Sequence, residues 1–187
     1  YNNMGIAQND NGDLEAAISS YKQALKIKPD NAEAYNNMGI AQNDNRDLEA
    51  AIGSYKQALK IKPDYAEAYN NMGIAQNDNG DLEAAISSYK LALKIKPDYA
   101  DTYINMGSAL MDKGDLDASI DSCQQALKIR PDFAEAYYNM GSALTDKGNL
   151  DAAIDSYKHA IKIKPDYAEA WNNLFLPLQA MKLQIPS

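Results

Sequence analysis

The sequence predicts an all-α fold, an α-solenoid of antiparallel helical hairpins, and three observations carry that prediction. Pro29, Pro63, Pro97, Pro131 and Pro165 stand 34 residues apart and each precedes an Asp (Asp30, Asp64, Asp98, Asp132 and Asp166), so the chain is a tandem repeat. Each repeat holds two runs with apolar residues at helical spacing, and none alternates as a half-buried strand does. One hairpin cannot cover both of its apolar faces, so each leans on the next, and stability becomes roughly a sum of nearest-neighbour contributions.

Residues 32–65 illustrate the elements in order. Asp30-Asn31-Ala32-Glu33 reads as a capping-box start in which Asp30 accepts from the first amides and Glu33 reaches back. Tyr35, Met38 and Gly39 follow at helical spacing, and this first helix runs to about Asn43. Asp44-Asn45-Arg46-Asp47 is a polar turn; other repeats carry Gly12, Gly80 and Gly114 at the Arg46 position, a natural left-handed helix stop. Asp47 then caps a second helix with Leu48, Ala51, Ile52, Tyr55, Ala58, Leu59 and Ile61 on its apolar face. Lys56, Lys60 and Lys62 crowd its C-terminal end, where the dipole favours cations, and Pro63 stops it. Gly39 within a helix costs about 1 kcal/mol against Ala. Its recurrence as Gly5, Gly73, Gly107 and Gly141 predicts close backbone approach, assigned here to the Ala51 and Ala58 positions.

The repeats divide the chain into 1–31, 32–65, 66–99, 100–133 and 134–167, with a partial repeat at 168–187. Residues 32–65 and 66–99 differ only at Arg46/Gly80, Gly53/Ser87 and Gln57/Leu91, which points to duplication of one unit. Tyr1 falls at the fourth position of its repeat, so the first helix lacks its usual cap and is expected to be preceded by further chain. In the last segment Phe175 replaces the scaffold Gly and Pro177 is expected to break or kink the helix. Residues 168–187 are read as a terminal cap whose Leu174, Phe175, Leu178 and Met181 cover the last hairpin; the alternative is an apolar patch awaiting another domain or chain.

Composition narrows the function. Of 187 residues 45% are hydrophobic, enough to build a core, and 18 basic against 26 acidic residues leave a net charge of -8. That balance argues against general affinity for nucleic-acid phosphates or an anionic membrane. No apolar run approaches the roughly 18 residues of a membrane span. A single Cys and a single His exclude a disulfide framework and starve metal and acid/base schemes, and no cofactor is expected. The cysteine usage fits a reducing compartment, with the cytoplasm the favoured location.

These residues resemble the tetratricopeptide repeat family, whose 34-residue pattern W-x2-L-G-x2-Y, A-x3-F, P reads here as Tyr35-x2-Met38-Gly39-x2-Gln42, Ala51-x3-Tyr55, Pro63. The departures are Tyr for Trp, Met for Leu, Gln42 (Leu110 and Leu144 in later repeats) for the second aromatic, and Ser119 and Cys123 in the fourth repeat. The likeness spans residues 1 to about 174. It implies a right-handed superhelix whose first helices line a concave groove, and a role in binding other proteins.

Catalytic chemistry finds little support. Cys123 takes a core tyrosine position and His159 lies 36 residues away on an exposed face, so a buried thiol and a solvated imidazole are expected, with no catalytic residue. Gln8-Asn9-Asp10-Asn11-Gly12-Asp13 resembles a calcium loop, yet with Gly12 sixth the first and twelfth places fall to Ala7 and Ile18, where carboxylates are required.

Counting Ala32 as the first position of a repeat, the resemblance implies that positions two, five, six, nine, twelve and thirteen face the groove. The sixth reads Asn3, Asn37, Asn71, Asn105, Asn139 and Asn173, unbroken where neighbours change (Asn36 becomes Ile104 and Tyr138). Asn is mediocre inside a helix, and its amide both donates and accepts, which suits a peptide backbone lying along the groove. A similar ladder lines the repeat superhelix of O-linked N-acetylglucosamine transferase. The competing account is that duplication copied the residue and the amides bond within the stack. Acids flank the ladder, Glu33, Glu67, Asp101, Glu135 and Glu169 at position two and Asp10, Asp44, Asp78, Asp112 and Asp146 at thirteen, so a polar or basic partner is favoured. The family's clamp for chaperone C-terminal carboxylates needs Lys and Arg where this chain has acids and Asn, and it is not expected. The second-helix lysines form a stripe that helix-end placement explains without nucleic acid.

The expectation is a non-catalytic scaffold that binds an extended peptide in its groove. Two alternatives stand beside it: the substrate-binding arm of a larger group-transfer enzyme, and a solenoid that self-associates head to tail.

Overall fold

A computed structural model describes the backbone of residues 1–183 and side chains through Phe175. The described residues form helices and turns with no strand. Two compact units divide the chain, Tyr1–Pro97 and Asp98–Ser187, each described by itself. The first holds α1 (Asn2–Asp10), α2 (Leu14–Ile27), α3 (Ala32–Asp44), α4 (Leu48–Ile61), α5 (Ala66–Asp78) and α6 (Leu82–Ile95). The second holds α7 (Ala100–Asp112), α8 (Leu116–Ile129), α9 (Ala134–Asp146), α10 (Leu150–Ile163) and α11 (Ala168–Leu183). Odd and even helices pair as hairpins, and within the units α2, α4, α8 and α10 also pack on the next odd helix.

Second helices start as their sequence dictates. The side chains of Asp13, Asp47, Asp81, Asp115 and Asn149 each accept from the backbone N–H three residues on, meeting one of the orphan amides of a helix N-terminus. First helices start differently from the expected capping box. Asn31, not Asp30, is the N-cap of α3 and accepts from Ala34 N at 3.1 Å. At the same place α5, α7 and α9 have Tyr65, Tyr99 and Phe133, with no side-chain cap. The aromatic ring takes a cation instead: the Lys62 ammonium lies 4.5 Å from the Tyr65 centroid and the Arg130 guanidinium 3.3 Å from that of Phe133.

The hairpin turn needs a positive φ. Gly12, Gly80, Gly114 and Gly148 adopt 78–86°, and Arg46 is held at 61° in the same place. The scaffold glycines correct an expectation. A Cβ on Gly39 would sit 2.6 Å from Cε1 of Tyr55, and Gly5, Gly73 and Gly141 meet Tyr21, Tyr89 and Tyr157 in the same way. The close approach is therefore an aromatic ring laid across the glycine backbone, rather than Ala51 and Ala58 against it. In the fourth repeat Cys123 replaces the ring, and the nearest atom to a Cβ on Gly107 recedes to 3.4 Å.

The core lies in slabs between hairpins. In the first unit Ala17, Tyr21 and Leu25 of α2 pack on Ala34, Met38 and Ala41 of α3, and the set recurs as Ala51, Tyr55, Leu59 with Ala68, Met72, Ala75. In the second unit Cys123 and Ala126 meet Ile104 and Ala136, while Leu144, Ala153, Ile154 and Tyr157 pack with Leu174. Ile61, expected on the apolar face, is exposed.

A further pairing ties hairpins internally. Ser20, Ser54 and Ser88 donate to Oε1 of Gln8, Gln42 and Gln76 at 2.5–2.6 Å. In the two later repeats Leu110 and Leu144 replace the Gln, and Ser122 and Ser156 turn to the carbonyl four residues back in their own helix. The Gln at the family's second aromatic place is thus half of a polar pair, buried at Gln42 and half-buried at Gln8 and Gln76.

At the C-terminal end, α11 continues through Pro177 to Leu183, so the proline does not end the helix. Leu174 is buried in the last slab as expected, but Phe175 stays 59% exposed and does not serve as a cover. The side chains of Leu178 and Met181 lie outside the described residues.

Candidate peptide-binding groove

Two cavities of the Tyr1–Pro97 unit repeat each other along its first helices. One, of about 430 Å³, is lined by Ile6, Asn9, Asp10, Tyr21, Glu33, Asn37 and Ile40. The other, of about 260 Å³, is lined by Ile40, Asn43, Asp44, Tyr55, Asn71 and Ile74. Every lining residue of the second lies 34 after one of the first, so the cavities are one chemical site written twice.

The site follows from helix geometry. Positions six, nine, twelve and thirteen recur three to four residues apart, so they share one face of a first helix. The Tyr ring enters from the second helix, where the missing Cβ of Gly5 or Gly39 leaves it room, and Tyr21 and Tyr55 line the cavities. Burial pushes the Tyr55 hydroxyl's pKa up, and the Asp44 carboxylate pushes it further; Asp10 acts on Tyr21 in the same sense. The phenols are therefore neutral hydroxyls beside carboxylates.

The asparagine ladder is partly bonded inside the stack. Asn71 Nδ2 donates to Asn36 Oδ1 at 3.1 Å, and Asn71 Oδ1 accepts from Asn70 at 3.5 Å. Asn37 Oδ1 accepts from Asn36 at 3.4 Å. In the second unit Asn173 Nδ2 donates to the Tyr138 hydroxyl at 3.1 Å, again position six to the preceding position five. Asn37 and Asn71 nonetheless line the cavities, whereas Asn3 is exposed; Asn105 and Asn139 are half-buried. Asn71 and Asn173 thus tie neighbouring first helices, and Asn37 and Asn71 also line the cavities.

The acids separate into two kinds. At position two, Glu67 pairs with Lys96 at 3.7 Å and Asp101 with Arg130 at 2.9 Å, exposed contacts worth about 0–1 kcal/mol that offset part of this charge. At position thirteen, Asp10 and Asp44 line the cavities, and Asp78, Asp112 and Asp146 are exposed at helix ends.

The second unit differs. The Tyr157 hydroxyl, instead of standing beside Ile and Asn, lies 3.3 Å from both Thr145 Oγ1 and Ser142 Oγ. A cavity of about 370 Å³ opens between α8, α9 and α10, where Tyr137 and His159 stack with centroids 5.1 Å apart. Cys123 is buried, and desolvation drives its thiol up to about 12, so it is no nucleophile near neutral pH. No three His, Cys, Asp or Glu side chains cluster as metal ligands among the described residues, and no described helix is long and apolar enough to cross a membrane.

The family model described as TPR repeat matches residues 5–45, 44–80, 75–114, 107–145 and 141–174. The chain belongs to the TPR repeat family. Among solved TPR structures it is similar to MamA at 30% identity and a TM-score of 0.81, covering 90% of this chain and 99% of that one. It shares its fold with YrrB, titled a TPR protein with an unusual peptide-binding site, at 22% identity and a TM-score of 0.76, covering 97% and 90%. MamA 41-end from Desulfovibrio magneticus RS-1 matches at 19% identity and a TM-score of 0.80, covering 88% and 93%. No curated protein matches the chain. The parts of each cavity come from adjacent repeats; sequence reading singled out Asn37 and Asp44 and put Asn9 and Asn43, at position twelve, on the groove face, but passed over Tyr21 and Tyr55. The signal that points to the tyrosines is the glycine 16 residues before each, Gly5 and Gly39.

Proposed function

We propose that this TPR chain is a non-catalytic protein-interaction scaffold that holds an extended polypeptide along the first helices of its Tyr1–Pro97 unit. The observation that carries this is the cavity repeated at the 34-residue period, with an apolar floor of Ile6, Ile40 and Ile74 and amide and carboxylate walls. Repeating subsites suit a repeating ligand, and a polypeptide backbone presents the same donors and acceptors at each residue. The ladder residues Asn37 and Asn71 and the carboxylates Asp10 and Asp44 are the proposed contacts, with Asn3, Asn105, Asn139, Asn173, Asp78, Asp112 and Asp146 extending the set along each unit. Support also comes from the TPR relatives, one of which is titled for a peptide-binding site.

The test is an array of synthetic peptides about twelve residues long probed with fluorescent protein. Ile40→Arg places a long cation in both cavities and is expected to abolish signal on the peptides that bind, with helical content retained. Gln57→Arg, exposed on α4, is expected to leave it intact. Equal signal from both variants contradicts the reading.

A further inference from the structure

The two cavities are rich in acceptors, and no cationic side chain lines either. Asp10 and Asp44 supply carboxylates. Asn9 and Asn43, one in each cavity, have buried side-chain Oδ1 atoms with no hydrogen-bond partner, as do Asn2 and, at the same repeat position as Asn43, Asn77. Buried carbonyl oxygens in folded proteins are nearly always paired, so each is a demand for an N–H that the chain itself leaves unmet. Ile and Tyr side chains line each cavity beside these acceptors.

That combination fits the two halves of one kind of side chain, an apolar stem that packs on Ile and aromatic surface and a charged head with several donors. We propose that each cavity is a subsite for one lysine or arginine side chain of the bound polypeptide, and that neighbouring subsites take basic residues three positions apart. The inference rests on the groove reading above and specifies its partner. The head forms a charge-assisted hydrogen bond to the carboxylate of Asp10 or Asp44, and the amide of Asn9 or Asn43 turns its Oδ1 toward the cavity to accept a second. The stem lies along Ile6 or Ile40.

The spacing follows from packing. First helices of neighbouring repeats touch, α1 with α3 and α3 with α5. Helices in contact stand about 8–10 Å apart, and an extended chain advances about 3.3 Å per residue. Three residues therefore carry a peptide that crosses the helices from one cavity to the next. The net charge of -8 draws such a peptide in and repels acidic ones.

Three peptides of about twelve residues decide it, each titrated into isotopically labelled protein and followed by amide shifts. One carries four lysines at every third position, one the same composition with the lysines contiguous, and one the periodic lysines acetylated. The periodic peptide is expected to bind about tenfold tighter than the contiguous one. Acetylation, or Asp10→Asn with Asp44→Asn, is expected to cost about tenfold or more, the scale of a lost charge-assisted bond. Equal binding of the periodic and contiguous peptides overturns the spacing. Equal binding of all three, abolished only by Ile40→Arg, overturns the basic subsite while the groove stands. No binding by any peptide, or binding that survives Ile40→Arg, removes the groove and the subsite together.

Discussion

Asn71 donates its Nδ2 to Oδ1 of Asn36, 35 residues earlier, at 3.1 Å, which ties α5 to α3 through a residue buried to 5% exposure. Such a bond contributes about 0.5–1.5 kcal/mol. A double-mutant cycle of Asn36→Ala and Asn71→Ala, followed by denaturant unfolding, is expected to return a coupling in that range. A coupling near zero would mean the two amides act independently of one another.

Gly39 and Gly107 occupy the same repeat position and should respond unequally to alanine. At Gly39 the new Cβ meets the Tyr55 ring at 2.6 Å, and that ring is 2% exposed and has nowhere to move. Gly39→Ala is expected to destabilise by about 1–3 kcal/mol. Gly107→Ala meets only the Cys123 sulfur and a backbone oxygen at 3.4 Å, so the better helix propensity of Ala offsets the contact, and stability changes by less than about 1 kcal/mol. Thermal midpoints of the two variants check the contrast.

Two surface positions hold easy gains. Arg46 sits at φ 61° where four other repeats place glycine, and a left-handed conformation costs a side-chain-bearing residue about 1–2 kcal/mol. Gly53 is exposed in mid-helix with nothing within 4 Å of a Cβ. Arg46→Gly and Gly53→Ala are each expected to stabilise by about 1 kcal/mol, and additively, as read by shifts in the denaturant midpoint.

The Ser54–Gln42 pair predicts an asymmetry. Gln42→Leu reproduces the later repeats, where the serine bonds its own helix, and is expected to cost less than about 1 kcal/mol. Ser54→Ala leaves the amide of the buried Gln42 unpaired and is expected to cost about 1–3 kcal/mol. Equal losses contradict the switch of partner.

Alkaline pH should weaken the fold. Burial raises Tyr21, Tyr55 and Tyr89 above 10.0 and Cys123 from 9.0 to about 12, so the folded state favours their neutral forms. The unfolded chain then ionises first. Stability from these groups is complete below about pH 9 and is lost as the pH rises through 10 towards 12. Denaturant midpoints from pH 7 upward, paired with tyrosinate absorbance, are expected to stay flat to about pH 9 and fall beyond it; a rise there contradicts the burial argument.

What the sequence made legible is what local chemistry encodes. Asp47 caps α4 because its side chain needs only the amide three residues on, and the Gly12 turn needs only a positive φ. Residues whose role depends on a partner in another element were harder to read. Gly39 announced a close approach without naming Tyr55, because the absence of a side chain says nothing of what fills the space. Asn31 and Tyr65 share a position but start their helices differently, one with a side-chain cap and one beneath a lysine. The ladder at Asn37 and Asn71 was visible by recurrence, yet its bonds to Asn36 became clear only when α3 and α5 were set side by side. Tyr55 read as core, and burial confirms it there and at Tyr21, but both tyrosines also line the cavities.

The most direct test of the central claim places a spin label on the periodic lysine peptide and reads the isoleucine methyl resonances of the protein. A polypeptide lying along the first helices predicts broadening at Ile6, Ile40 and Ile74, which line the cavities, while the exposed methyls of Ile27, Ile61 and Ile95 at the second-helix ends stay sharp. Broadening at Ile27, Ile61 and Ile95 with Ile6, Ile40 and Ile74 unaffected would contradict it.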